Sequence, residues 1–389
     1  MDNNSTTRVD PAVFEAMKPY FLEKYGNATS RDHSFGWEAE AAVVNARKQI
    51  ALLINADPSE IIFTSGATES INLAHFGIAE SYSSRGRRII TTAIEHSAVL
   101  DSLKYLETKG FEVIYLDVNN DGFIDLDHLN NLVDENTLLV SIMTANNEIG
   151  IINNIEEIGK ICKSKNVFFH SDATQAIGKI PFDVKTLNTD FISLSAHKFY
   201  GPKGIGVLYI NKEKRFKLLP RQFGGGHEKG LRSGTLNVPS IVGTGKAAEI
   251  CRLVMTDESA RVTELRNKLY YGIVKNLNDV TLNGSLEDRL PNNLNFSFKY
   301  SKAENIILNM KDIAVSTGAA CTSASIKPSH VLQALGLSDE AIRSSVRMSP
   351  GRFTTEEEIN YVINKIVETV NKVRSYSPEY NLNHNISLT

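Results

Sequence analysis

The feature that most restricts the fold is an alternation of short apolar runs with amphipathic stretches between about residues 38 and 256. The runs at residues 61–63 and 138–143 have the length of buried strands, whereas residues 70–79 and 155–165 carry apolar side chains at helical spacing. Strands that alternate with helices pair in parallel, so the pattern predicts a mostly parallel sheet with helices on both faces. Such sheets bind ligands beyond the carboxyl ends of their strands.

The rest of the chain follows a different pattern. A long charged helix is predicted over residues 259–276, with short strands after it near residues 280–282. A final helix begins at Thr355, which has capping-box spacing to Glu358. This segment predicts a smaller α+β domain beside the α/β domain.

We therefore expect a large α/β domain over residues 14–256 and a small domain formed by residues 1–13 and 257–389. The chain of 389 residues is 42% hydrophobic and 22% charged, which is ordinary for a globular enzyme. A net charge of −3 gives no sign of a strongly basic surface, so direct nucleic-acid binding is not expected.

The cysteines indicate the compartment. Cys162, Cys251 and Cys321 form no paired framework and lack zinc-site spacing, so neither a disulfide scaffold nor a metal site is predicted. The chain has no apolar run of membrane-spanning length. Sparse cysteines and the absence of an apolar leader favour a cytoplasmic protein without membrane attachment.

Lys198 is the first candidate catalytic residue. It follows the apolar run at residues 191–194, precedes a glycine-rich turn at 201–206, and lies beside Ser195 and His197. A lysine buried at a strand end has a depressed pKa and is a nucleophilic amine that can form a Schiff base. A surface lysine at a turn is the simpler alternative.

Asp172 is the second candidate. It follows the apolar run at residues 168–171, and so ends a strand as the run before Lys198 does. Pyridoxal phosphate requires both a lysine and a carboxylate that keeps its ring nitrogen protonated. The two residues could hold opposite sides of one such ring. Asp172 could also cap a helix, and the two roles are compatible.

Seven motifs, taken together, resemble those of cysteine desulfurases, which are pyridoxal phosphate enzymes of the class-V aminotransferase group. They occur in the family's order over nearly the whole chain. The motifs are TSGATES at residues 64–70, EHSAVL at 95–100, NNEIG at 146–150, DATQ at 172–175, SAHK at 195–198, RSGT at 232–235 and ACTS at 320–323. The resemblance implies pyridoxal phosphate fold type I, which is aspartate aminotransferase-like, and a homodimer.

The cofactor phosphate is expected at the start of a helix. Ala67 and Thr68 follow a strand and open a helix, where backbone N–H groups and a hydroxyl can bind phosphate, although plain helix capping would give the same string. The family resemblance implies that Ser195 and His197 share the phosphate. It also implies that Thr235 reaches this phosphate from the partner subunit.

Three further residues are assigned to the cofactor or the substrate. His96 lies at a loop-to-helix entry, where an imidazole could stack on the ring and move protons, although an isolated histidine is more often a surface residue. The resemblance implies the stacking role. It also implies that Gln175 hydrogen-bonds the phenolic oxygen, and that Asn147 contacts that oxygen or the substrate carboxylate.

Cys321 is the expected sulfur carrier. It lies among small residues in a stretch from residue 316 to about 328, and without large apolar anchors this loop is expected to be mobile. For an isolated cysteine an inert role would be the better interpretation, as it is for Cys162 and Cys251. For Cys321, the family resemblance instead implies the role of sulfur carrier. In its length, the loop is similar to that of the long-loop desulfurases, the housekeeping iron–sulfur-assembly group.

Arg347 is the expected ligand of the substrate's α-carboxylate, because a guanidinium can bind a carboxylate with two hydrogen bonds. Arg352 is its competitor, and a structural ion pair is the alternative for both. The implied reaction converts L-cysteine to L-alanine. Lys198 or His96 moves the α-proton, and Cys321 takes the sulfur as a persulfide and passes it to an acceptor protein.

Other functions remain open at this point. Selenocysteine lyase or another class-V lyase is the nearest alternative, and a catalytically inactive sulfur-carrier scaffold is a second. A nucleotide-binding module is suggested by the glycines at 204–206 and 224–226, but neither string follows a strand and opens a helix. The acceptor could serve iron–sulfur assembly, tRNA or DNA thiolation, or cofactor synthesis.

Overall fold

The structure, a computed structural model, describes residues 1–214, 216–317 and 328–384. Its helices are α1 (Pro11–Met17), α2 (Pro19–Leu22), α3 (Ser34–Leu53), α4 (Ala67–Tyr82), α5 (Ser97–Glu107), α6 (Leu126–Leu132), α7 (Ile155–Ser164), α8 (Val184–Leu187), α9 (Val238–Asn276), α10 (Ala303–Leu308), α11 (His330–Ala334), α12 (Asp339–Arg343), α13 (Glu356–Ser375) and α14 (Pro378–Asn383). Its strands are β1 (Ile61–Thr64), β2 (Arg88–Thr92), β3 (Glu112–Leu116), β4 (Thr137–Ser141), β5 (Phe168–Asp172), β6 (Phe191–Ser195), β7 (Gly206–Ile210), β8 (Val280–Leu282), β9 (Leu294–Phe298), β10 (Ser316–Thr317) and β11 (Ser345–Met348).

Seven strands form the main sheet in the order β1-β7-β6-β5-β4-β2-β3. Only β7 runs antiparallel to its neighbours, which confirms the predicted mostly parallel sheet. Strands β4, β5 and β6 are buried along their whole length, because helices cover both faces of the sheet.

Alternate residues of the same strand enter different hydrophobic clusters. In β1, Ile61 and Phe63 pack into the cluster that also contains residues of α3 and α9. Ile62 between them packs into the cluster formed with α4 and α5. The period-two alternation of a strand therefore divides the core into two layers, one on each face of the sheet.

A second sheet, in the order β10-β11-β9-β8, is antiparallel throughout. It packs on α13 and on the second half of α9. Helix α13 begins with the predicted capping box, in which Thr355 and Glu358 satisfy each other's backbone N–H groups. This part of the chain is the predicted smaller α+β unit.

Helix α9 differs from the helix predicted over residues 259–276, because it begins at Val238. Its first half contributes Ile241 and Cys251 to the core of the large sheet, and its second half contributes Leu269 to the core of the small sheet. A domain boundary at residue 256 would therefore lie inside one continuous helix that both cores share.

Small residues occupy much of the buried face in the first half of α9. A Cβ added at Gly245 would lie 2.5 Å from the Cα of Ala46, so only glycine allows α9 to approach α3 this closely. Across the described ranges, no helix is both long and apolar enough to cross a membrane.

Candidate active site

A cavity of about 410 Å³ opens at the carboxyl edge of the main sheet. Ten predicted site residues line it, from elements that are far apart in the sequence. They are Ala67, Thr68, His96, Asn147, Asp172, Gln175, Ser195, His197, Lys198 and Arg347. The structure thus brings together side chains from both predicted units of the fold.

Lys198 ends a single 3-10 turn, Ala196–Lys198, that directly follows β6. Its Nζ donates hydrogen bonds to the backbone oxygens of Asn4 at 2.6 Å and Ser5 at 2.7 Å. The amine is therefore directed into the cavity and held against the N-terminal segment of the chain.

Asp172 is the last residue of β5 and is 6% exposed. Its Oδ1 accepts a hydrogen bond of 2.9 Å from the backbone N–H of Thr174, which is the capping contact considered for it. The hydroxyl of Thr174 is buried beside the cavity, with no hydrogen-bond partner among the described residues. Burial without a partner is costly, so this hydroxyl is a candidate ligand contact.

The phosphate end of the candidate site lies at the N-terminus of α4. Gly66 precedes this helix, and the Cβ of any other residue at Gly206 would lie 2.5 Å from the Cα of Gly66. This close approach keeps the helix start open beside Ser195 and His197. Burial, followed by the positive charge of Lys198, lowers the pKa of His197 to about 4.

His96 caps the start of α5, and its Nδ1 accepts a hydrogen bond of 3.1 Å from the N–H of Ala98. This contact places the ring hydrogen on Nε2 in the neutral imidazole. Burial is the main cause that lowers the pKa of His96. Lys198 and His330 lower the pKa further, and the nearby Asp172 carboxylate opposes them.

Arg347 lies on β11, is 2% exposed and faces the cavity. Its Nη1 donates to the backbone oxygen of Asn147 at 2.9 Å, and its Nη2 donates to Asp2 at 2.9 Å and to Ser5 Oγ at 2.6 Å. Its Nε is buried and has no partner within the described part of the chain. The guanidinium therefore still has a donor for a carboxylate.

Arg352, the competitor, lies away from this cavity. Its guanidinium forms ion pairs with Asp10 at 3.0 Å and Glu258 at 2.7 Å, and it stacks on the ring of Tyr200. These contacts are those of a structural residue.

One predicted residue, Thr235, is not among the described residues that line the cavity. Thr235 is exposed and follows the loop that contains Phe223, which is itself 77% exposed. Cys321 lies outside the described residues, as does most of the loop predicted around it. Cys162 and Cys251 are buried, and burial raises the pKa of both thiols, that of Cys251 to about 11. Neither is poised as a thiolate.

Sequence reasoning missed Asn4, Ser5 and Lys203, which also line the cavity. Asn4 is 1% exposed, although the sequence around it looks like an ordinary polar terminus. Nothing local marks it, because its partners lie 143 to 345 positions away along the chain.

Two buried acids were also missed. Burial raises the pKa of Glu95 to about 8, although its Oε1 accepts hydrogen bonds from Thr92 and from the N–H of Met143. Burial raises the pKa of Glu148 to about 7, against its hydrogen bond from Ser329 and the charge of Arg347. The sequence marked Glu95 and Glu148 only as parts of motifs.

The donor set of the cavity fits pyridoxal phosphate. An amine, a carboxylate and a flat imidazole are present at Lys198, Asp172 and His96, and a helix N-terminus provides an anion site. The unpartnered hydroxyl of Thr174 is one more buried group that a ligand would satisfy.

Comparisons with known proteins agree with this arrangement. The family model described as aminotransferase class-V matches residues 1–362. Cysteine desulfurase IscS of Anaeromyxobacter sp. (strain Fw109-5) is 53% identical over 382 residues, which cover 98% of this chain and 95% of that protein. Cysteine desulfurase IscS of Proteus mirabilis (strain HI4320) is 52% identical over 380 residues, with 97% and 94% covered.

Two solved structures show the same architecture. A NifS-like protein superimposes with a TM-score of 0.89 at 43% identity, covering 95% of this chain and 98% of its own. SspA in complex with cysteine superimposes with a TM-score of 0.80 at 35% identity, covering 91% and 99%.

Proposed function

This chain belongs to the class-V aminotransferase family and is a pyridoxal phosphate-dependent cysteine desulfurase; we propose that it converts L-cysteine to L-alanine and carries the sulfur on Cys321. The observation that supports the site assignment is the convergence of Lys198, Asp172 and Arg347 on one cavity. It combines an amine for the cofactor, a carboxylate for its ring nitrogen and a guanidinium for an amino acid.

In this proposal Lys198 holds the cofactor aldehyde, Asp172 pairs with the ring nitrogen, and His96 stacks on the ring. Ala67, Thr68, Ser195 and His197 hold the phosphate, and Gln175 donates to the phenolic oxygen. When bound, the cofactor supplies an electron sink for bonds to the substrate's α-carbon.

The substrate is held through its carboxylate. The unpartnered Nε of Arg347 supports this role, because a buried guanidinium gains most from a charged, planar partner. Asn147 lines the same cavity, and its backbone oxygen fixes the other side of the guanidinium. We assign the α-carboxylate of cysteine to this pair.

Proton and sulfur transfer are assigned to three side chains. Lys198 or His96 removes the α-proton, which suits the lowered pKa of His96 because a neutral imidazole can accept a proton. The Cys321 thiolate then attacks the substrate sulfur. A sulfur–sulfur bond forms as the Cβ–S bond breaks, and the electron pair of the broken bond stays on carbon. That carbon takes up a proton, the α-carbon regains the proton it lost, and the products are alanine and a persulfide on Cys321.

A homodimer is the proposed assembly. Helices α1 to α3 and their connections expose large apolar side chains, which a protein partner would cover. They are Phe14, Phe21, Leu22, Tyr25, Phe35 and Trp37, each at least half exposed. A second copy of this chain would also explain why Thr235 lies on an exposed segment, because it could then reach the partner's phosphate.

The persulfide is proposed to pass to an acceptor protein, for iron–sulfur cluster assembly or for thiolation of tRNA. We propose that this takes place in the cytoplasm. The similarity to IscS-named desulfurases supports the choice of a protein acceptor over free sulfide release.

The test is a cysteine assay on the purified protein with a reductant. Wild type should be yellow and produce alanine, and borohydride followed by peptide mapping should place the pyridoxyl group on Lys198. Lys198→Ala and Cys321→Ala should each abolish alanine formation from cysteine, whereas the control Cys162→Ala should not. A colourless protein, or a pyridoxyl group on another residue, would overturn the assignment.

A further inference from the structure

A chain of hydrogen bonds joins a second lysine to the catalytic one. Lys179 Nζ donates to Gln175 Oε1 at 2.6 Å, and Gln175 Nε2 donates to the backbone oxygen of Asn4 at 2.9 Å. The same oxygen of Asn4 accepts the hydrogen bond of 2.6 Å from Lys198 Nζ. Lys179 does not line the cavity, and its hydrogen bonds to lining residues go to Gln175 and, at the longer distance of 3.5 Å, to Asn4 Oδ1.

Asn4 is fixed on every side. Its Oδ1 accepts from Asn292 at 2.9 Å, its N–H donates to Ser349 Oγ at 3.0 Å, and its Nδ2 donates to the backbone oxygen of Asn147 at 3.3 Å. Since Asn4 is almost fully buried, these contacts hold its backbone oxygen in place. The amide of Gln175 therefore lies between two fixed partners.

The surroundings of Lys179 are unusual for a lysine. Burial lowers its pKa well below the ordinary value, and the nearby charges of Lys198 and Arg347 act in the same direction. Glu258 and Cys251 oppose them more weakly. Keeping an amine in such a place is costly, so its short contact to Gln175, whose side chain lines the cavity, needs an explanation.

An amide has one accepting end and one donating end, and its orientation follows from its partners. Lys179 presents N–H groups to Gln175, so the oxygen of the amide faces Lys179. The NH₂ end then faces Asn4 and the cavity. Without Lys179 the amide could turn over and present its oxygen to the phenolic oxygen of the cofactor, where two acceptors would repel each other.

We propose that Lys179 is a positioning residue that fixes the amide of Gln175, so that its NH₂ group donates to the phenolic oxygen of pyridoxal phosphate. The inference rests on the proposed function, because it requires the cofactor in this cavity. It assigns a task to a partly buried lysine that the reaction itself does not use.

The expected signature is spectroscopic. A donor at the phenolic oxygen stabilises the negative charge left there when the proton leaves the imine nitrogen of Lys198. Loss of the donor should therefore move this deprotonation to higher pH. A hydrogen bond to a charged group corresponds to a shift of about one to two pH units.

The experiment is a pH titration of the cofactor absorbance in wild type and five variants. Lys179→Met keeps the aliphatic stem and removes the donor, and should shift the midpoint upward. Gln175→Leu should shift it similarly, and the double variant no further than Gln175→Leu alone. Lys179→Arg retains donors and should titrate like wild type, as should Lys160→Met, which changes an exposed lysine. Lys179→Leu replaces Lys179→Met if the latter does not fold.

Three results would overturn the inference. One is an unchanged midpoint in Lys179→Met, or in Lys179→Leu where that variant replaces it. Another is a full additional shift when the lysine is replaced in the Gln175→Leu background, since this would indicate a charge effect that bypasses the amide. The third is an equal shift in Lys179→Arg. Borohydride trapping on Lys198 is measured in every sample, so a wild type without a pyridoxyl group refutes the proposed function instead.

Discussion

At the scale of single residues, the two arginines near the site show how partners decide a role. Arg347 and Arg352 are both largely buried, and both contact an aspartate of the N-terminal segment. Arg352 has a second carboxylate partner, Glu258, whereas the buried Nε of Arg347 has no partner among the residues that the structure describes. A guanidinium with a partner missing in a cavity is suited to binding, and one that is saturated is suited to holding chain segments together.

Replacing each arginine by lysine should separate these roles. Lysine has no counterpart of the Nε–H donor of Arg347, so Arg347→Lys should raise the KM for cysteine about 10-fold to 100-fold. Its thermal midpoint should change little. Arg352→Lys should lower the thermal midpoint and leave KM nearly unchanged. Steady-state kinetics measures the KM of each variant, and calorimetry measures its thermal midpoint. If Arg352→Lys raised the KM and Arg347→Lys lowered the thermal midpoint, the roles assigned to the two arginines would be reversed.

At the scale of secondary structure elements, a buried histidine pair ties α4 to the middle of the main sheet. His75 of α4 contacts Ser102 at 2.8 Å and Ser141 at 3.0 Å, and its ring lies edge-on to that of His170 in β5. His170 also contacts Ser193 of β6 at 2.9 Å. Burial lowers the pKa of His75 to about 3, and lowers that of His170 well below its ordinary value. Both rings are therefore neutral in the folded protein near neutral pH.

Because of this histidine pair, the folding stability of the protein should depend on pH. The pKa of His75 is lower in the folded than in the unfolded state, so below about pH 6.5 the unfolded state binds more protons. The free energy of unfolding therefore falls as the pH falls from there toward 3. Between pH 7 and pH 5, one such histidine lowers the free energy of unfolding by about 2 kcal/mol. His75→Gln does not titrate, so the stability advantage of wild type over it should shrink by that amount in urea unfolding. If the difference in the free energy of unfolding between wild type and His75→Gln did not change with pH, this prediction would be contradicted.

The close packing of α9 on α3 gives a prediction of its own. Gly245→Ala places a Cβ 2.5 Å from the Cα of Ala46, which is backbone and cannot yield, so we expect a loss of about 1–3 kcal/mol despite alanine's higher helix propensity. The control Gly272→Ala in the same helix meets the end of the Ile363 side chain first, and should cost less. The two variants are compared by their denaturant midpoints, provided that their m-values are equal. An equal or larger loss of stability in Gly272→Ala would contradict the prediction.

At the scale of the whole molecule, a feature could be predicted from the sequence when the residues that indicate it lie close together along the chain. Asp172 ends β5 and Lys198 ends the turn after β6, so the parallel sheet alone predicts that they meet at one edge. Asn4 could not be found in this way, because its role arises from contacts made across the whole length of the chain. The long helix was predicted to start at residue 259, whereas α9 begins at Val238, because small residues on the buried face of its first half weaken the apolar periodicity by which helix bounds are found.

The proposed homodimer makes the active site a property of two chains, and mixed dimers test this. If Thr235 serves the partner's phosphate, a dimer of one Lys198→Ala chain and one Thr235→Ala chain contains one site with both native residues. That site should bind the cofactor with wild-type affinity and have wild-type KM, at half the activity per dimer. If Thr235 instead serves its own chain, the only site with Lys198 lacks Thr235, and the mixed dimer should resemble Thr235→Ala. Differentially tagged chains, purified as mixed dimers and titrated with pyridoxal phosphate, distinguish the two results.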